Sequence, residues 1–323
     1  MTTRLSDLIT HDNWAPWFDQ YSTQNSALVQ SGIVTRTDEF DQMALASGLT
    51  HNMPFYDDLP DTAPNKSSDD PAVTSTPDGI TTGQDVATKC ADNQSWSSMD
   101  LNVSVNHEGD DPVQRIFRKI GGYWLRSDQQ YLISSITGVF ADNITNDASD
   151  LVHDVTLAAD PTLSAANFID ALQLLGDAKE RITALVVHSA VETVMAKADL
   201  ITTIPDSEGK AMIKFFMGKR LIVDDTCPVS GADYTSYAFA EGAFAWGEGM
   251  PKNPLETERI PAAGNGSGQD VLYSRREWIL HPRGFKYTGP DNPTRAQLAL
   301  ASSWDRVYDQ KLARVVGILS RLS

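Results

Sequence analysis

The sequence predicts an α+β fold, and three stretches of the chain support that prediction. Residues 255–289 are typical of a long β-hairpin, because two arms rich in Ile, Val, Tyr, Trp and Phe flank a Gly/Asn/Ser tip. Residues 111–140 carry helical periodicity. From residue 163 onward, helical and strand-like segments alternate, which indicates an α/β layer. With 323 residues, of which 41% are hydrophobic, the chain can bury a core divided between about two sub-domains.

The charge balance argues against two classes of partner. Lys and Arg number 26 against 43 Asp and Glu, so the formal net charge is -17. An acidic protein repels phosphate backbones and anionic membranes, so we expect neither sequence-specific nucleic-acid binding nor membrane binding. The N-terminus lacks the apolar run of a signal peptide, which predicts a soluble protein made in the cytosol. Cys90 and Cys227 are too few for a disulfide framework and are expected to be free.

The N-terminal segment is predicted to be an arm. Residues 12–36 carry aromatic side chains between polar ones, without a helical or strand period. Trp14, Trp17 and Phe18 need a surface that buries them, because the segment is too small to form a domain. That surface belongs either to the same subunit or to a neighbour, so the three residues are candidate contacts between subunits. A short amphipathic helix is predicted at 38–45.

The composition changes between residues 57 and 111, where Asp, Ser, Thr, Pro and Asn dominate. Two interpretations stay open for this region. Its composition is typical of disorder, whereas the apolar alternation at 101–105 favours a protruding two-stranded loop. A calcium site made of Asp and Asn oxygens is also compatible with the composition, although no segment has the spacing of an EF-hand.

A long helix is predicted to begin at Asp111, since an acidic cap followed by Pro112 in the first turn is a helix-start signal. Apolar residues at helical spacing then form one stripe: Ile116, Phe117, Ile120 and Trp124. The pair Gly121 and Gly122 is expected to weaken or bend the helix. A second periodic stretch continues to Phe140.

Helices and strands alternate in the second half of the chain. Ser164 is predicted to cap a helix, residues 182–188 are a continuous apolar run typical of a buried strand, and helical periodicity returns at 189–200. Residues 204–225 alternate between turns and apolar strands. Residues 235–249 predict a strand pair or one bulged strand. The chain is predicted to end in an apolar strand or a short helix.

The predicted hairpin carries charges of both signs. These residues complete the candidate contacts between subunits: Glu256, Glu258 and Arg259 on the first arm, and Arg275, Arg276 and Glu277 on the second. Alternate residues of a strand point to opposite faces of the sheet, and on the second arm both faces carry apolar and polar residues. We therefore expect neither face to be purely solvent-exposed. We expect the charges to pair across strands or across a subunit boundary. The alternative is an ordinary two-sided strand within one domain.

The sequence predicts no catalytic, cofactor-binding or metal-binding residue. The glycine cluster at 264–268 precedes neither a Lys-Ser/Thr pair nor a helix start, so a hairpin tip explains it better than a phosphate cradle. His188 and Glu192 lie four residues apart without a second histidine at the matching offset, which favours a polar pair at a helix start. A cytosolic metal-dependent hydrolase with scattered carboxylates is the alternative from another functional class.

Motifs along nearly the whole chain resemble, in their order, the major capsid proteins of tailed bacteriophages with the Hong Kong-ninety-seven-type fold. The motifs are MPFYDDL at Met53, SWSSMDL at Ser95, DPVQRI at Asp111, GYWLRSDQQYLISSITGVFA at Gly122, LVVHSAVETVMAKADLI at Leu185, IPDSEG at Ile204, GKRLIVDD at Gly218, AGNGSG at Ala263, RREWILHPRGFKY at Arg275 and WDRVYD at Trp304. Each motif alone is weakly specific, and their shared order carries the resemblance.

The resemblance implies a structural protein and not an enzyme: a major capsid protein that self-assembles into the icosahedral shell around phage double-stranded DNA. The alternative function for the same fold is a host-encoded compartment shell. The implied layout is an N-terminal arm at 1–52, an extended loop region at 53–110, the spine helix of a peripheral domain with its connection at 111–160, an axial domain at 161–250, the β-hairpin of the peripheral domain at 251–291 and a return to the axial domain at 292–323.

The resemblance also implies the partners. Identical subunits are expected to form pentamers and hexamers in the virion, assembled in the cytoplasm of the bacterial host without a cofactor or a membrane. Because the fold motifs begin close to Met1, any scaffolding protein is expected to be a separate chain. A portal and a decoration protein are further expected partners, and packaged DNA is expected only as non-specific content. Some family members are covalently cross-linked, but the loop lysines Lys66 and Lys89 give no basis for such a bond here.

Overall fold

One long helix connects two β-sheets. The computed structural model describes residues 32–101, 112–205 and 212–323. Helix α1 spans Asp38–Leu45, as the sequence predicts, and helix α2 spans Pro112–Asn146. Buried side chains of α2 and of both sheets form one continuous hydrophobic cluster. The two sheets and α2 are therefore parts of one packed body.

The first sheet contains the predicted hairpin. Its six strands are β1 (Val34–Arg36), β2 (Thr50–Tyr56), β3 (Thr82–Met99), β11 (Phe244–Gly249), β12 (Leu255–Ile260) and β13 (Gln269–Pro282). They lie in the order β1-β11-β13-β3-β2, and β12 pairs antiparallel with the N-terminal part of β13. The hairpin prediction is confirmed, and β13 is also the central strand that joins β11 and β12 on one edge to β3 on the other.

The hairpin tip depends on glycine. A helical turn at Ala263–Gly266 joins the two strands, and Gly264 and Asn265 take positive φ angles of 64° and 58° within it. A Cβ atom on Gly264 would clash with the terminal methyl of Met99. The tip thus needs a residue without a side chain at position 264, for its backbone conformation and for its close approach to β3.

The polar region after residue 57 contains the longest strand of the fold. β3 occupies 18 residues, and residues 85–90 within it are buried. Disorder is therefore the wrong interpretation for 82–99, and the base of the predicted two-stranded loop is the antiparallel pair β2 and β3. Except for Leu101, the alternation at 101–105 lies outside the described residues. The composition wrongly indicated disorder because β3 is poor in large apolar residues. The strand is nevertheless buried, since it pairs with β2 on one side and with β13 on the other.

The second sheet is mixed and packs against the C-terminal part of α2. Its eight strands are β4 (Val152–Asp154), β5 (Ile182–Val187), β6 (Thr202–Pro205), β7 (Met212–Phe216), β8 (Lys219–Val223), β9 (Val229–Ser230), β10 (Asp233–Ala240) and β16 (Val315–Ser320). The order is β4-β16-β10-β5-β8-β7-β6, and β9 pairs with β10. The predicted buried strand is β5, and the last apolar segment is the strand β16.

Two helices flank this sheet at the predicted places. Helix α3 spans Ala165–Gln173, and the Ser164 hydroxyl caps it by accepting a hydrogen bond from the backbone N–H of Asn167. The helical prediction continued further, but the chain turns into a 3-10 helix at Gly176–Arg181. Helix α4 spans Ser189–Lys197. Strands β5 and β8 pair in parallel, which is the arrangement that an α/β layer requires.

The predicted strand pair at 235–249 is wrong. β10 lies in the second sheet, whereas β11 lies in the first sheet between β1 and β13. The chain crosses between the sheets at 241–243, where Gly242 has a φ of 63°. Both strands are mostly buried, so their apolar pattern predicts two strands but not their partners. The chain thus passes from the second sheet to the first before residue 250, where the resemblance implied the end of the axial domain.

The predicted break in the long helix is also absent. Helix α2 continues through Gly121 and Gly122, although each glycine costs about 1 kcal/mol relative to alanine in a helix interior. Burial of Trp124 and of residues further along the helix outweighs this cost. The predicted apolar stripe is wrong at Phe117, which is exposed, because the packed part of the helix begins near Trp124.

The remaining described elements close the structure. Strands β14 (Phe285–Tyr287) and β15 (Trp304–Arg306) form a small antiparallel sheet. A short helix α5 spans Arg295–Leu298, and 3-10 turns follow at Ala301–Ser303 and Gln310–Leu312. β14 begins after the predicted turn at Gly284. These elements pack against the middle of α2 and return the chain to β16 in the second sheet.

Candidate assembly surfaces

Arg276 is largely buried at the junction between β13 and α2. Its side chain is 19% exposed and that of Asp128 is 6% exposed. One guanidinium nitrogen donates to both carboxylate oxygens of Asp128, at 2.9 and 3.2 Å. The guanidinium carbon lies 5.2, 5.7 and 5.9 Å from the ring centres of Trp124, Trp246 and Trp278. This candidate contact therefore ties the first sheet to the long helix inside one subunit.

The carboxyl group of Asp128 is sensitive to pH near neutrality. Burial raises the pKa of Asp128 to about 6, and the neighbouring Arg276 opposes that rise. Glu248 and Asp92 add a smaller upward effect on the same pKa. Loss of hydration for the carboxylate is thus larger than the gain from its ion pair, as is common for buried ion pairs.

Other hairpin charges pair on the surface between β12 and β13. Arg275 donates to Glu256 at 2.8 Å, and the hydroxyl of Tyr273 donates to Glu258 at 2.9 Å. These side chains are partly or fully exposed to solvent. Cross-strand pairs of this kind hold the register of the hairpin, but each one stabilises the subunit little in water.

Arg259 joins the hairpin tip to the end of β3. Its guanidinium donates to Asp270 at 2.9 Å and to Asp100 at 2.5 Å. The backbone N–H of Asp100 also donates to the carbonyl of Gly268 at 3.1 Å. Three segments thus meet at this end of the sheet, and the charge of Arg259 is compensated within the subunit.

Glu277 pairs with Lys89 across β13 and β3. The Nζ–Oε2 distance is 2.6 Å, and the Lys89 side chain is largely buried. Lys89 also donates to the backbone carbonyl of Ala46 at 3.4 Å. This loop lysine is therefore held inside the subunit.

All six charged candidates have a partner within their own subunit, so the structure shows the cross-strand pairing that the sequence left open. A role for them at a subunit boundary stays a prediction. Trp14, Trp17 and Phe18 lie outside the described residues, and their role as contacts also stays a prediction.

The sequence did not reveal the partners of these charges. Asp128 is 148 positions from Arg276, and Asp100 is 159 positions from Arg259. No local pattern joins residues so far apart. The only available signal was the position of Asp128, four residues after Trp124 and hence on the packed face of the helix.

One projection is left without support from the rest of the subunit. Residues 57–81, named here the acidic loop, are all exposed and contain no helix or strand. The backbone N–H of Asp57 donates to the carbonyl of Thr81 at 3.0 Å, and further out Asn65 donates to the carbonyl of Thr76 at 3.2 Å. The loop is therefore a narrow two-armed projection that lacks a buried core.

The polar groups of the described residues do not form a catalytic site. His281 contacts the carboxylate of Asp85 at 2.9 Å, but that carboxylate also accepts backbone N–H groups of Val86 and Gly284, so it holds a turn. Burial raises the pKa of both Cys90 and Cys227, which keeps these free thiols protonated.

His188 and Glu192 lie at the start of helix α4. His188 caps α4 through a hydrogen bond from the N–H of Ala190, and Glu192 pairs with Lys214 at 2.6 Å, so the predicted polar pair at a helix start is confirmed. Among the described residues, no three His, Cys, Asp or Glu side chains are arranged to hold a metal ion. In the same part of the chain, no helix combines the length and apolarity needed to cross a membrane.

Sequence comparison relates nearly the whole chain to phage shell proteins. The sequence model of the family described as "Major capsid protein 13-like" matches residues 46–316. The chain is also similar to the "Major capsid protein" of Bacillus phage SPP1. The two are 37% identical over 331 residues, which cover 99% of this chain and 98% of that protein.

Solved structures share the fold at low sequence identity. A chain of the cyanophage Pam1 capsid asymmetric unit has a TM-score of 0.63 at 9% identity, covering 99% of this chain and 98% of that one. A chain of the holo-SrpI encapsulin complex from Synechococcus elongatus has a TM-score of 0.57 at 10% identity, with 98% of each chain covered. At such identities the likeness concerns the fold alone.

Proposed function

This chain belongs to the family of major capsid protein 13-like proteins, and from that membership we propose how its subunits join. It is a major capsid protein of a tailed phage, with the Hong Kong-ninety-seven-type fold, and it self-assembles into the shell of the virion. The predicted fold and function are confirmed. Because this family is structural, the alternative of a metal-dependent hydrolase is wrong. An encapsulin shares the fold, but sequence similarity supports the phage shell over a host compartment.

The proposed capsomers are pentamers and hexamers in which the acidic loop and the N-terminal arm of each subunit cover a neighbour. The observation that carries this proposal is the exposure of every residue from 57 to 81 on a projection without a core. A monomer gains little from such a projection, whereas a neighbour can bury its apolar side chains. A loop that contacts neighbours in both pentamers and hexamers has to tolerate two slightly different geometries, which suits its turn-rich composition.

The proposed domains follow the two sheets. The first sheet with α2 corresponds to a peripheral domain, and the second sheet with α3 and α4 corresponds to an axial domain. In this division β11 belongs with the peripheral domain and β4 with the axial domain, because of the sheets in which they pair. The charged residues of the hairpin then stabilise the peripheral domain. Those that are exposed to solvent remain candidate contacts between subunits.

The remaining proposed partners rest on the family resemblance and on charge. Separate scaffolding, portal and decoration proteins are proposed from the resemblance. Packaged DNA is proposed as non-specific content, since a subunit with a formal net charge of -17 repels phosphate overall. Repulsion between subunits of such charge means that assembly needs short-range contacts that oppose it.

The first test measures the particles that the purified protein forms with and without a candidate scaffolding protein. Light scattering and negative-stain microscopy are expected to show closed shells, sheets or capsomer rings. A stable compact monomer under every condition would contradict the proposed assembly.

A loop variant makes this test specific. Asp57 and Thr81 are already hydrogen-bonded, so residues 58–80 can be replaced by an Asn-Gly turn that keeps the β2–β3 pair. The variant is expected to fold with an unchanged thermal midpoint but to form no shells. Normal shells from this variant would show that the loop is not an assembly contact.

A further inference from the structure

We propose that three arginines at the crossover between the two sheets form a binding site for a phosphate group. The arginine cluster is defined by these residues: Arg181, Arg283 and Arg314. Phosphate binding at this place goes beyond the proposed function and does not depend on shell assembly, because all three residues belong to one subunit.

The backbone brings the three arginines to the crossover that follows β10. Arg181 immediately precedes β5, whose first residue pairs with Ala240 at the end of β10. On the other side of β10, the backbone N–H of Ala240 donates to the carbonyl of Arg314 at 2.9 Å. The N–H of Arg283 donates to the carbonyl of Ala243 at 3.0 Å. Since hydrogen-bonded neighbours of this kind lie about 5 Å apart, three distant segments converge on one short turn.

The side chains also approach one another. The Nη1 atom of Arg314 donates to the carbonyls of Glu241 and Gly242, at 3.2 and 3.3 Å, so its guanidinium lies against the crossover. Burial lowers the pKa of Arg314, and the positive charges of Arg283 and Arg181 lower it further. Repulsion of this kind requires the charged groups to be close together.

The arginine cluster lacks a carboxylate partner within the described ranges. There, the guanidinium of Arg314 donates only to backbone carbonyls, and neither Arg181 nor Arg283 forms a salt bridge. The Nε atom of Arg283 is buried and has no hydrogen-bond partner among the described residues. Buried or half-buried donors without a partner are costly, so the cluster is suited to an anion that supplies acceptors.

Carboxylates near the cluster are engaged elsewhere. An oxygen of Asp177 lies 3.1 Å from Nζ of Lys311, and an oxygen of Glu180 lies 4.0 Å from Nζ of Lys219. Glu241 accepts from the cluster through its backbone carbonyl and not through its carboxylate. In a protein with 43 acidic residues against 26 Lys and Arg, three neighbouring arginines are thus left without a counter-charge from the described residues.

The donors of the cluster fit phosphate better than carboxylate. Each guanidinium is a planar fork of N–H groups that matches two oxygens of a phosphate. A tetrahedral phosphate offers oxygens in several directions, whereas a carboxylate offers two in one plane, which is too few for three forks. The side chain of Tyr308 lies nearby, since Arg283 and Arg314 oppose the rise in its pKa that burial and Asp85 cause. Its hydroxyl adds a neutral donor.

A phosphate bound by all three arginines links the two sheets. Arg283 directly follows β13 of the first sheet, whereas Arg181 and Arg314 directly precede β5 and β16 of the second. The bound group therefore holds the crossover relative to both sheets and removes repulsion among the guanidinium groups. Such phosphate has two possible sources with the same chemistry, the free ion and the backbone of packaged DNA.

Thermal unfolding of the unassembled subunit in inorganic phosphate tests the site. At constant ionic strength, set with chloride, the wild-type midpoint is expected to rise with phosphate concentration and then level off, because the ligand binds only the folded state. Arg181→Gln and Arg283→Gln are each expected to need on the order of tenfold more phosphate for the same rise, since each removes charged donors. Isothermal titration calorimetry measures the same loss as a change in Kd.

Two features of the variants keep the test interpretable. Arg181 is exposed, so Arg181→Gln is expected to fold even if Arg283→Gln does not. The matched control is Arg118→Gln, which makes the same change in net charge at an exposed position of α2 outside the cluster. The control is expected to keep the phosphate dependence of the wild type.

A short DNA duplex distinguishes the two sources of phosphate. If the duplex raises the midpoint of the wild type but not that of Arg181→Gln, the site accepts backbone phosphate. If inorganic phosphate alone does so, the free ion is the ligand. Both results support the phosphate site.

Three results would overturn the site. One is an equal response of the wild type and Arg181→Gln to phosphate, and another is an equal rise in chloride alone. The third is stabilisation by glutarate, a dicarboxylate, that matches stabilisation by phosphate, because the cluster would then fit the carboxylates of an acidic protein segment. A wild type that binds phosphate but forms no shell under any condition would contradict the proposed function and support the site.

Discussion

The hairpin β12–β13 and the acidic loop that extends from strands β2 and β3 are two charged regions of the subunit, and they differ in how their charges are partnered. Each of the six charged hairpin candidates has a partner in the same subunit, from the buried contact of Arg276 with Asp128 to the exposed contact of Arg275 with Glu256. In the acidic loop, six aspartates face solvent with one lysine among them. The hairpin is therefore built to stabilise the subunit, whereas the loop is suited to a contact that the isolated subunit lacks.

This difference predicts that charge substitutions in the two regions act on different measurements. Hairpin substitutions are expected to change the free energy of unfolding of the subunit. Loop substitutions are expected to change assembly instead. The distinction can be tested on unassembled subunits by measuring the free energy of unfolding.

The largest effect is expected for Arg276→Ala. The substitution leaves Asp128 buried without its cation and opens space between three tryptophan rings. Removal of one partner of a buried ion pair costs about 3 kcal/mol or more. Chemical unfolding monitored by tryptophan fluorescence measures the loss. The matched control is Arg275→Ala, whose exposed pair is expected to be worth at most about 1 kcal/mol. Equal losses in the two variants would contradict the assigned difference in burial.

The stability of the subunit is expected to depend on pH through Asp128. The pKa of Asp128 is about 6 in the folded subunit, above its ordinary value of 3.8. The folded state therefore binds the proton first as pH falls, so the contribution of Asp128 to stability is present at low pH and is lost as pH rises through 6. Between pH 7 and pH 5 this group should add about 1.4 kcal/mol to the free energy of unfolding. Asp128→Asn should remove that part of the pH dependence, and an unchanged pH profile would show that another group is responsible.

A smaller effect is expected for Arg259→Ala at the hairpin tip. Its partners Asp100 and Asp270 are partly exposed, so water compensates for much of the lost contact. We expect only a small loss in the free energy of unfolding, below that of Arg276→Ala. The loss should shrink in high salt, because exposed ion pairs are screened. A salt-independent loss as large as that of Arg276→Ala would contradict the exposure of this contact.

The smallest effect on stability is expected in the acidic loop. Asp61→Asn with Asp69→Asn should change the free energy of unfolding by less than about 0.5 kcal/mol, since both side chains are exposed. The same double variant should still weaken assembly, as measured by light scattering. A clear loss of subunit stability with normal assembly would reverse the comparison between loop and hairpin.

Local signals predicted much of the fold. The bounds of α1, the cap at Ser164, the buried strand β5 and the glycine tip of the hairpin were predictable, because each depends on residues within a few positions. The strand β3 was not, since its buried stretch includes Asp85, Thr88 and Lys89, which are polar residues satisfied by distant partners. Composition alone made this region look unfolded.

The candidate contacts were predictable as residues but not as pairs. Charges of both signs on the hairpin indicated pairing, and the structure confirms pairing across strands. The burial of Arg276 among three tryptophans could not be predicted, because those rings come from a helix and two strands that are far apart in the sequence. The break expected at Gly121 failed for a similar reason, since distant packing outweighs a local preference.

The sequence by itself determined the family, the capsid function, the types of most elements and the unequal distribution of charge, because these depend on residue identity and on short spacings. Only the tertiary structure decided that β10 and β11 belong to different sheets and that each charged hairpin candidate has a partner within the subunit. Those facts depend on which distant segments come together, and the free energy of such contacts is set by burial and geometry that no local pattern contains.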